Sequence, residues 1–531
     1  MSMIAGSELT WAARQYRGRE AVIFGDRRLT YDYINRRANK FANMLRGLGL
    51  GNNDRVAVLL NNSVASVETV FGGSKSGTTY VALNARHTAV EHLAILRDAA
   101  PRAIVAGPEF EDVITSIAAD VPGLEAVVGL GWSYRGGGEY ERLMDMASDR
   151  EPAVRVNLDD HLRLIYTSGT TGRPKGIVYS WRRYHERTNN FFAALEYQLG
   201  VDESMIHVGP LTHAAGNYLF PYYLRGARNV VMSRFDPEAM QDTIARERIT
   251  HLLLVPTMMV RLLDALDRRR FDLSSICRIN YGTAPTPVDT LRRGIEAFGP
   301  VFREHYGLSE CPQPVTLLYP HEHVLEGSEK ETARLASCGR PTMNINLAIH
   351  DPEGRELAPG EVGEIAIEAS GVAAVEYWRS PETREETVRN GWLYTGDLGW
   401  MDEDGFLFIV GRSKDMIVSG GFNVYSREVE EVLIAHPGVL EAAVVGVPDP
   451  EWGEAVCAFV APKRGAVLVA ESVTAHCAGR IAGYKKPRFV ELVDRLPRNS
   501  AGKIDKNAMR RLFFERHPER DDRGGAVGAR Y

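Results

Sequence analysis

The sequence predicts an α/β protein with two helix-covered sheets and a β-rich subdomain in a large amino-terminal domain, followed by a small, mobile α+β domain. First, 531 residues are too many for one hydrophobic core. Second, short β-rich runs alternate with longer helix-period stretches between about residues 20 and 310, a pattern typical of parallel sheets covered by helices. Third, glycine and proline separate short strands after about residue 335.

Hydrophobic runs and their periodicity define the predicted elements in chain order. The predicted strands of the large domain are 55–60, 162–166, 229–232, 251–255, 301–305, 362–367 and 405–410, and its clearest helices are 63–75 and 237–248. The small domain is predicted to contain helices 426–435 and 472–481 and strands 440–447, 455–461 and 488–493.

A polar, flexible stretch at 411–415 separates the two parts, so we expect a domain boundary there. The predicted division is 1–411 for the large domain, 412–414 for a hinge and 415–516 for the mobile small domain. The tail 517–531 has little to bury and is predicted to be disordered.

Composition excludes several classes of protein. A hydrophobic share of 44% and a charged share of 25% are ordinary for a globular chain, and a net charge of −6 provides no basic surface for nucleic acid. Five scattered cysteines, with no Cys-x-x-Cys pair, suit a reducing compartment. The first twenty residues lack the apolar core of a secretory signal, and the most apolar stretch, 251–263, is too short to span a bilayer. We therefore expect a soluble cytoplasmic protein.

Residues 166–176, Tyr-Thr-Ser-Gly-Thr-Thr-Gly-Arg-Pro-Lys-Gly, form the most informative segment of the chain. Gly169, Gly172 and Gly176 allow positive φ and a close approach of backbone N–H groups, while Ser168, Thr170, Thr171 and Lys175 add hydroxyl donors and a positive charge. The run lacks the Gly-Lys-Ser/Thr ending of a P-loop NTPase, and an ordinary surface loop is the alternative explanation. The combination favours a loop that binds a polyphosphate.

Two carboxylates follow predicted strands. In Tyr306-Gly307-Leu308-Ser309-Glu310 an aromatic ring and a carboxylate stand at the carboxyl end of a strand, where α/β sheets bind ligands. Asp397 ends the run 392–397 and has the geometry to accept both hydroxyls of a ribose, with Arg412 as a second contact. Taken singly, each segment is equally typical of a turn.

Three further features have weaker signals. Lys503 lies on a flexible loop of the small domain and matters only if that domain closes over the nucleotide, where its charge would stabilise the reacting phosphate. The basic cluster 483–488 suits either a phosphorylated ligand or a solvated face. His213, among apolar and small residues, suits either a substrate pocket or a structural role.

In this order, the segments 166–176, 306–310, 394–397, 411–430 and 499–503 resemble the adenylate-forming superfamily of acyl-CoA synthetases, firefly luciferases and peptide-synthetase adenylation domains. The resemblance runs from about residue 10 to 510. It implies that a carboxylate attacks the α-phosphate of Mg·ATP to give an acyl-adenylate and pyrophosphate, after which a thiol displaces AMP.

The resemblance also implies a role for individual residues. The catalytic residues would be Lys503, Glu310 and His213. Glu310 would bind Mg²⁺ directly or through water. The nucleotide would be bound by Thr167, Ser168, Gly169, Thr170, Thr171, Lys175, Tyr306 on the adenine, Gly307, Ser309, Asp397 and Arg412. The acyl pocket would be bordered by His213, Asn217, Tyr218, Tyr281, Gly282, Thr283, Ala284 and Leu308. CoA would contact Ser419, Gly420, Gly421, Tyr484 and Lys486, after rotation about Lys414.

The segment 416–425 looks most like that of stand-alone acyl-CoA ligases, so the predicted function is ATP-dependent ligation of a carboxylic acid to CoA. The chain departs from the superfamily in having Ser426 where many relatives have proline and Thr283 where glycine is common. Loading of a carrier-protein thiol and nucleotide binding without turnover remain alternatives. The pocket composition suggests a largely apolar monocarboxylate, whether fatty, aryl or alicyclic, and the protein is expected to be a monomer or homodimer.

Overall fold

The computed structural model describes residues 2–134, 136–168, 174–195, 199–212, 214–268, 271–312, 314–463, 465–499 and 502–520. Several predicted site residues lie outside these ranges: Gly169, Thr170, Thr171, the neighbouring Gly172 and His213. Residues 521–531 of the predicted tail lie outside them as well.

The first 157 residues contain short strands and the helices between them. The strands are β1 Ser2–Ile4, β2 Glu20–Phe24, β3 Arg27–Thr30, β4 Arg55–Leu59, β5 Thr79–Ala82, β6 Ala103–Ala106, β7 Ala126–Gly129, β8 Gly138–Glu139 and β9 Arg155–Asn157. The helices are α1 Ser7–Gln15, α2 Tyr31–Gly47, α3 Val64–Ser76, α4 Ala89–Ala99, α5 Glu111–Ile117 and α6 Tyr140–Met146.

The middle of the chain continues the alternation. Its strands are β10 His161–Ser168, β11 Pro174–Ser180, β12 Ser204–His207, β13 Arg228–Val231, β14 His251–Leu254, β15 Arg278–Gly282, β16 Phe302–Tyr306, β17 Thr316–Leu318 and β18 Arg340–Pro341. Its helices are α7 Trp181–Ala194, α8 Gly216–Leu224, α9 Pro237–Glu247, α10 Pro256–Leu266, α11 Val288–Phe298 and α12 Glu329–Ala333.

The last third is richer in strands. They are β19 Leu347–His350, β20 Gly363–Glu368, β21 Val388–Arg389, β22 Trp392–Met401, β23 Leu407–Arg412, β24 Ile417–Ser419, β25 Phe422–Val424, β26 Val439–Asp449, β27 Gly453–Pro462 and β28 Phe489–Leu492. The helices are α13 Pro381–Thr387, α14 Ser426–Ile434, α15 Ala470–Cys477 and α16 Lys506–Arg516.

Two large sheets form the centre of the big domain, and both are mostly parallel. One has the order β11-β10-β5-β4-β6-β7-β8, with only the β10–β11 hairpin antiparallel. The other has the order β18-β17-β16-β15-β14-β12-β13-β2-β3 and is parallel from β16 to β2. Parallel strands buried on both faces read as continuous apolar runs, as in β4, where Val56 to Leu59 are 0–1% exposed. The predicted α/β class is confirmed.

Besides the antiparallel pair β1–β9, two five-stranded sheets complete the fold. Strands β19, β20, β22, β21 and β23 form an antiparallel sheet, which is the predicted β-rich subdomain. The small domain is built on the order β25-β24-β27-β26, with β28 parallel to β27. Within the described residues, no helix is both long and apolar enough to cross a bilayer.

The small domain differs from its prediction at two helices. Helix α15 ends at Cys477 instead of residue 481, because the backbone at Gly479 takes the left-handed conformation, with φ +76°. Helix α16, which was not predicted, begins at the cap residue Asp505, whose side chain accepts from Ala508 N. It follows the loop of Lys503 directly.

The first residues of the predicted tail contact the small domain. His517 Nε2 lies 2.7 Å from Glu491 Oε1, and Arg520 Nη1 lies 3.4 Å from Asp449 Oδ2. Residues Pro518–Arg520 form a single 3₁₀ turn. These ion pairs tie residues 517–520 to the strands of the small domain.

Candidate active site

Asp397 is the centre of a network at the edge of the β-rich sheet. Its carboxylate accepts a hydrogen bond from the Tyr306 hydroxyl at 2.7 Å, and its other oxygen lies 3.1 Å from Arg412 Nε. Burial, followed by the Asp397 charge, raises the pKa of Tyr306 well above its usual range. The structure therefore brings together three residues that the sequence spreads over more than a hundred positions.

A β-bulge aims the Asp397 side chain. The pairing of β20 with β22 shifts between Glu364 and Ala366, and Gly396 has a φ of +73°. Thr395 Oγ1 donates to Ile365 O at 2.9 Å and accepts from Asp397 N at 3.1 Å. A bulge redirects a side chain in this way without ending the strand. The sequence predicted a Gly-Asp segment here, and the structure places it inside a strand.

Glu310 stands on the turn after β16, and two side chains hold that turn, one from strand β11 of the phosphate-loop hairpin and one from the following helix α7. The Tyr179 hydroxyl donates to Ser309 O at 2.6 Å, and Arg183 donates to Glu310 O. Burial raises the pKa of Glu310, while the positive charges of Arg183 and Arg412 lower it. Glu310 also acts on Tyr377, whose pKa burial raises to about 12.

Arg183 was missed from the sequence. It is 3% exposed, and besides Glu310 O it donates to Val178 O at 2.8 Å and Val372 O at 2.9 Å. Two of its three acceptors lie 127 and 189 residues away in the sequence, so no local pattern indicates its role. Its position places a positive charge directly behind the Glu310 turn.

The three residues Tyr306, Asp397 and Arg412 form what we call the wall of the site. Lys503 belongs to the small domain. The residue is exposed, and desolvation by the protein around its ammonium lowers its pKa. Arg412 lowers the pKa further, and the carboxylates of Asp397 and Glu310 oppose that effect. The four charged groups predicted to act on the nucleotide are therefore close enough to influence one another.

The Lys503 loop is held by its own turns and by the large domain. Asn499 Oδ1 accepts from Lys503 N at 3.0 Å, and Arg498 donates to Gly502 O at 3.1 Å. Gly502 has a φ of +78°, and a Cβ there would lie only 2.9 Å from Arg86 Nη1. Its left-handed conformation favours glycine, and the approach shows that this loop passes close to Arg86 of the large domain.

Lys506 ties the same loop to helix α14. Its Nζ donates to Ser426 Oγ at 2.7 Å and lies 3.1 Å from Glu430 Oε1. Ser426 is the first residue of α14 and its Oγ would stand 3.9 Å from a Cβ at Gly411. The departure from proline at this position thus provides an acceptor at the domain boundary.

The phosphate loop itself is described only at its two flanks. Thr167 pairs with Lys175 across the β10–β11 hairpin, as expected for residues on either side of the loop. The expected positive φ is wrong for Gly176, which is extended within β11. Glycine is needed there for space, because a Cβ would lie 2.9 Å from the Tyr166 ring and 3.2 Å from Trp378.

The predicted acyl-pocket residues lie on β15, helix α8 and the turn after β16. Tyr281 is fully buried and donates to His323 Nε2 at 2.9 Å, while the buried Tyr218 hydroxyl lies 2.5 Å from His305 Nε2. Both rings therefore belong to the core behind the predicted pocket. Thr283 has a φ of +67°, a strained conformation for a β-branched residue and a reason for the glycine common in relatives. Leu308 packs against the core under the β-rich sheet.

The predicted CoA residues gather around the β24–β25 hairpin of the small domain. Gly420 and Gly421, with φ of +60° and +82°, form the tight turn between β24 and β25, and the first lies against the Trp452 ring. Phe422 stacks on Tyr484, with ring centroids 4.7 Å apart. The hairpin that includes Ser419 and the segment before Lys486 are thus neighbours.

A family model for the AMP-binding enzyme matches residues 9–378, and one for the AMP-binding enzyme C-terminal domain matches residues 428–503. The chain belongs to the AMP-binding enzyme family. The two matches cover both described domains, including the Glu310 turn and Lys503. They confirm the superfamily predicted from the motifs.

Individual relatives of this AMP-binding enzyme agree. A feruloyl-CoA synthase of an Amycolatopsis species is 36% identical over 499 residues, spanning 93% of this chain and 96% of the relative. A fatty acid–[acyl-carrier-protein] ligase of Streptomyces coeruleorubidus is 35% identical over 503 residues, spanning 93% of both chains. The solved structure of the anthranilate CoA ligase AuaEII with anthranoyl-AMP has a TM-score of 0.87 and 28% identity, covering 96% and 97% of the two chains.

The AMP-binding enzyme is therefore an AMP-forming acid–thiol ligase close to the stand-alone acyl-CoA ligases. It uses ATP to convert a carboxylic acid to an acyl-adenylate and transfers the acyl group to CoA. This confirms the function and enzyme class predicted from the sequence.

Proposed function

We propose that the structure represents the acid-activating arrangement of this acid:CoA ligase, in which Lys503 drives formation of the acyl-adenylate. The observation that carries the proposal is that charges of the large domain, on Arg412, Asp397 and Glu310, act on the pKa of Lys503, while the loop of Lys503 passes close to Arg86 at Gly502. A fixed ammonium is most effective where negative charge develops, here between the attacking carboxylate and the α-phosphate.

In this arrangement the remaining groups divide the nucleotide between them. Asp397 and Arg412 bind the ribose, Tyr306 covers the adenine, and the phosphate loop with Lys175 binds the phosphates. Because Tyr306 and Arg412 already bond to Asp397, the carboxylate that would bind the ribose is held in position before the ligand arrives. Such preorganisation lowers the entropy that binding must offset.

Glu310 suits Mg²⁺, which neutralises phosphate charge in reactions of this kind. Its carboxylate forms no ion pair with any described residue, and burial raises its pKa. A hard cation would stabilise this ionised oxygen ligand. Glu310 would bind the ion directly or through water, while Arg183 and Tyr179 fix the turn on which it stands.

For thioester formation the small domain would rotate about Lys414, within the 3₁₀ turn Ser413–Asp415. Support comes from the fact that the small domain has two sets of predicted residues, Lys503 on the loop before α16 and Gly420, Gly421 and Tyr484 around the β24–β25 hairpin. Rotation would exchange one set for the other at a single site. The proposed division into 1–411, a hinge at 412–414 and 415–516 follows from the same movement.

The proposed acid is a largely apolar monocarboxylate bound near Asn217, Gly282, Thr283, Ala284 and Leu308, and the enzyme would act as a monomer or homodimer. The test is pyrophosphate release from Mg·ATP across a panel of fatty, aryl and alicyclic acids, followed by CoA. We expect pyrophosphate without CoA, and AMP with acyl-CoA after its addition. ATP binding with no product from any acid would instead favour a nucleotide-binding protein without turnover.

Transfer to a carrier-protein thiol is the second candidate, because one relative of the same length is named as an acyl-carrier-protein ligase. The two acceptors are separated by offering CoA and a phosphopantetheinylated carrier protein in parallel to the preformed acyl-adenylate. Preferred consumption of CoA supports the main proposal, and preferred loading of the carrier supports the alternative.

A further inference from the structure

Arg187, on helix α7, is a buried cation without an anion. It is 3% exposed, and its Nη1 donates to Asn217 O at 2.9 Å, while Nε has no hydrogen-bond partner. No carboxylate of the described residues forms an ion pair with it. Burial lowers its pKa, the hydroxyls of three tyrosines oppose that effect, and the guanidinium lies over the Phe191 ring, 5.1 Å from its centroid. A buried charge without an anion is nevertheless costly and calls for an explanation.

Two other buried cations of the same fold, Lys75 and Arg183, are fully hydrogen-bonded. Lys75, 1% exposed, donates to Thr10, Asn35, Asn39 and Glu151 at 2.6–2.8 Å. Arg183, one helical turn before Arg187, has three carbonyl acceptors. The contrast indicates that the missing partner of Arg187 is supplied from outside the protein.

Arg187 lines a cavity of about 30 Å³ that has room for such a partner. Ser74, Tyr80, Arg163 and Asn217 also line it, and none of the lining residues that the structure describes is a carboxylate. The Arg163 guanidinium lies over the Tyr80 ring, 5.3 Å from its centroid. A volume of this size holds one oxygen-bearing group and is too small for a ring. The cavity therefore suits an oxygen acceptor next to two positive charges.

Helix α7 relates this cavity to the reaction centre. Arg183 contacts the carbonyl of Glu310, and Arg187 lies one turn further along the same face, about 5.4 Å away. There it contacts the carbonyl of Asn217, a residue of the proposed acyl pocket. A group that reaches Arg187 is thus displaced from the reacting phosphate towards the acyl side.

We propose that this cavity is the far end of the acyl pocket and that Arg187 binds an oxygen acceptor, a phenolic oxygen or a second carboxylate, at the distal end of the acid. The inference rests on the proposed function and refines its substrate to an acid with an apolar body and a polar far end. A site built to hydrogen-bond such a group discriminates against an analogue that lacks it, because its buried donors are then left unpaired.

The test compares pyrophosphate release for matched acids: cinnamate with 4-hydroxycinnamate, and linear monocarboxylates with dicarboxylates of the same length. We expect the wild type to favour one of the oxygenated partners by tenfold or more in kcat/KM. The arm that shows this preference identifies the acceptor as phenolic or carboxylate. R187M is expected to reduce the ratio to less than threefold, and R187K to retain part of it.

The matched control is R182M, on the same helix, which removes an arginine paired with Asp159 at the surface. It should leave the ratio unchanged. Equal use of plain and oxygenated acids by the wild type, or an R187M enzyme that turns over acids with the wild-type ratio, would overturn the inference while leaving the proposed function intact. Failure of all acids to release pyrophosphate would instead contradict the proposed function.

Discussion

The wall of the site formed by Tyr306, Asp397 and Arg412 differs from the Lys503 loop in how its functional groups are held. In the wall each polar group bonds another, at 2.7 and 3.1 Å, and a bulge fixes the direction of Asp397. The Lys503 ammonium forms no hydrogen bond or ion pair with the described residues, and only its backbone is anchored. The wall is thus formed before binding, whereas the lysine depends on the position of its domain.

The largest expected effect comes from replacing Lys503, because this change should affect one half-reaction and leave the wall intact. Lys503→Ala should slow acyl-adenylate formation by about 10²–10³-fold, the usual consequence of removing one donor that stabilises transition-state charge. Because the wall remains intact, thioester formation from supplied acyl-adenylate should be largely spared. Single-turnover measurement of each half-reaction checks this.

Lys330→Ala is the matched control, since that lysine pairs with Asp404 at the surface. It should leave both half-reactions unchanged. An equal loss of both half-reactions in Lys503→Ala would contradict the assignment of the lysine to one domain position.

A tenfold effect is expected from replacing Arg183, which supports the turn of Glu310. Arg183→Gln removes the positive charge and the donor on Glu310 O, and partners of this kind typically change metal affinity by about tenfold or more. The Mg²⁺ concentration that gives half-maximal adenylation should rise by roughly that factor, and Arg183→Lys should restore part of it. An Arg183→Gln enzyme that loses activity at every Mg²⁺ concentration, with no shift in the requirement, would indicate a folding role alone.

The pH dependence of adenylation sharpens the comparison further. Lys503 acts when protonated, and desolvation and Arg412 lower its pKa. The adenylation rate should therefore fall as the pH rises through a value below the 10.5 of an ordinary lysine. Arg412→Gln removes one cause of that shift, so the alkaline limb should move to higher pH even though nucleotide affinity decreases. A limb that stays in place would show that Arg412 does not act on Lys503.

The wall and the small domain that includes the Lys503 loop also differ in how much of each the sequence could predict. Strand–helix alternation and the five motifs predicted the α/β class and the residues of the wall, because each is a local pattern. Arg183 and Tyr179 could not be found in this way, since they act on carbonyls about 130 residues away. Arg187 was missed for a similar reason. Its proposed role depends on which residues line a cavity in three dimensions, and no local sequence pattern indicates them. Helix α16 was missed although Asp505 provides an ordinary cap.

The smallest expected effect concerns the hydrogen bond by which Lys506, next to the Lys503 loop, contacts Ser426 at the domain boundary. Ser426→Pro removes the acceptor of Lys506 but suits the first position of helix α14, where proline is favoured. The lysine keeps Glu430, so we expect a loss of about 0.5–1 kcal/mol, or two- to fivefold in the adenylation rate, with thioester formation unchanged. Ser426→Ala should behave in the same way. If both variants adenylate at the wild-type rate in single turnover, the Lys503 loop is positioned by its own turns and by Arg86, and the serine has no part in it.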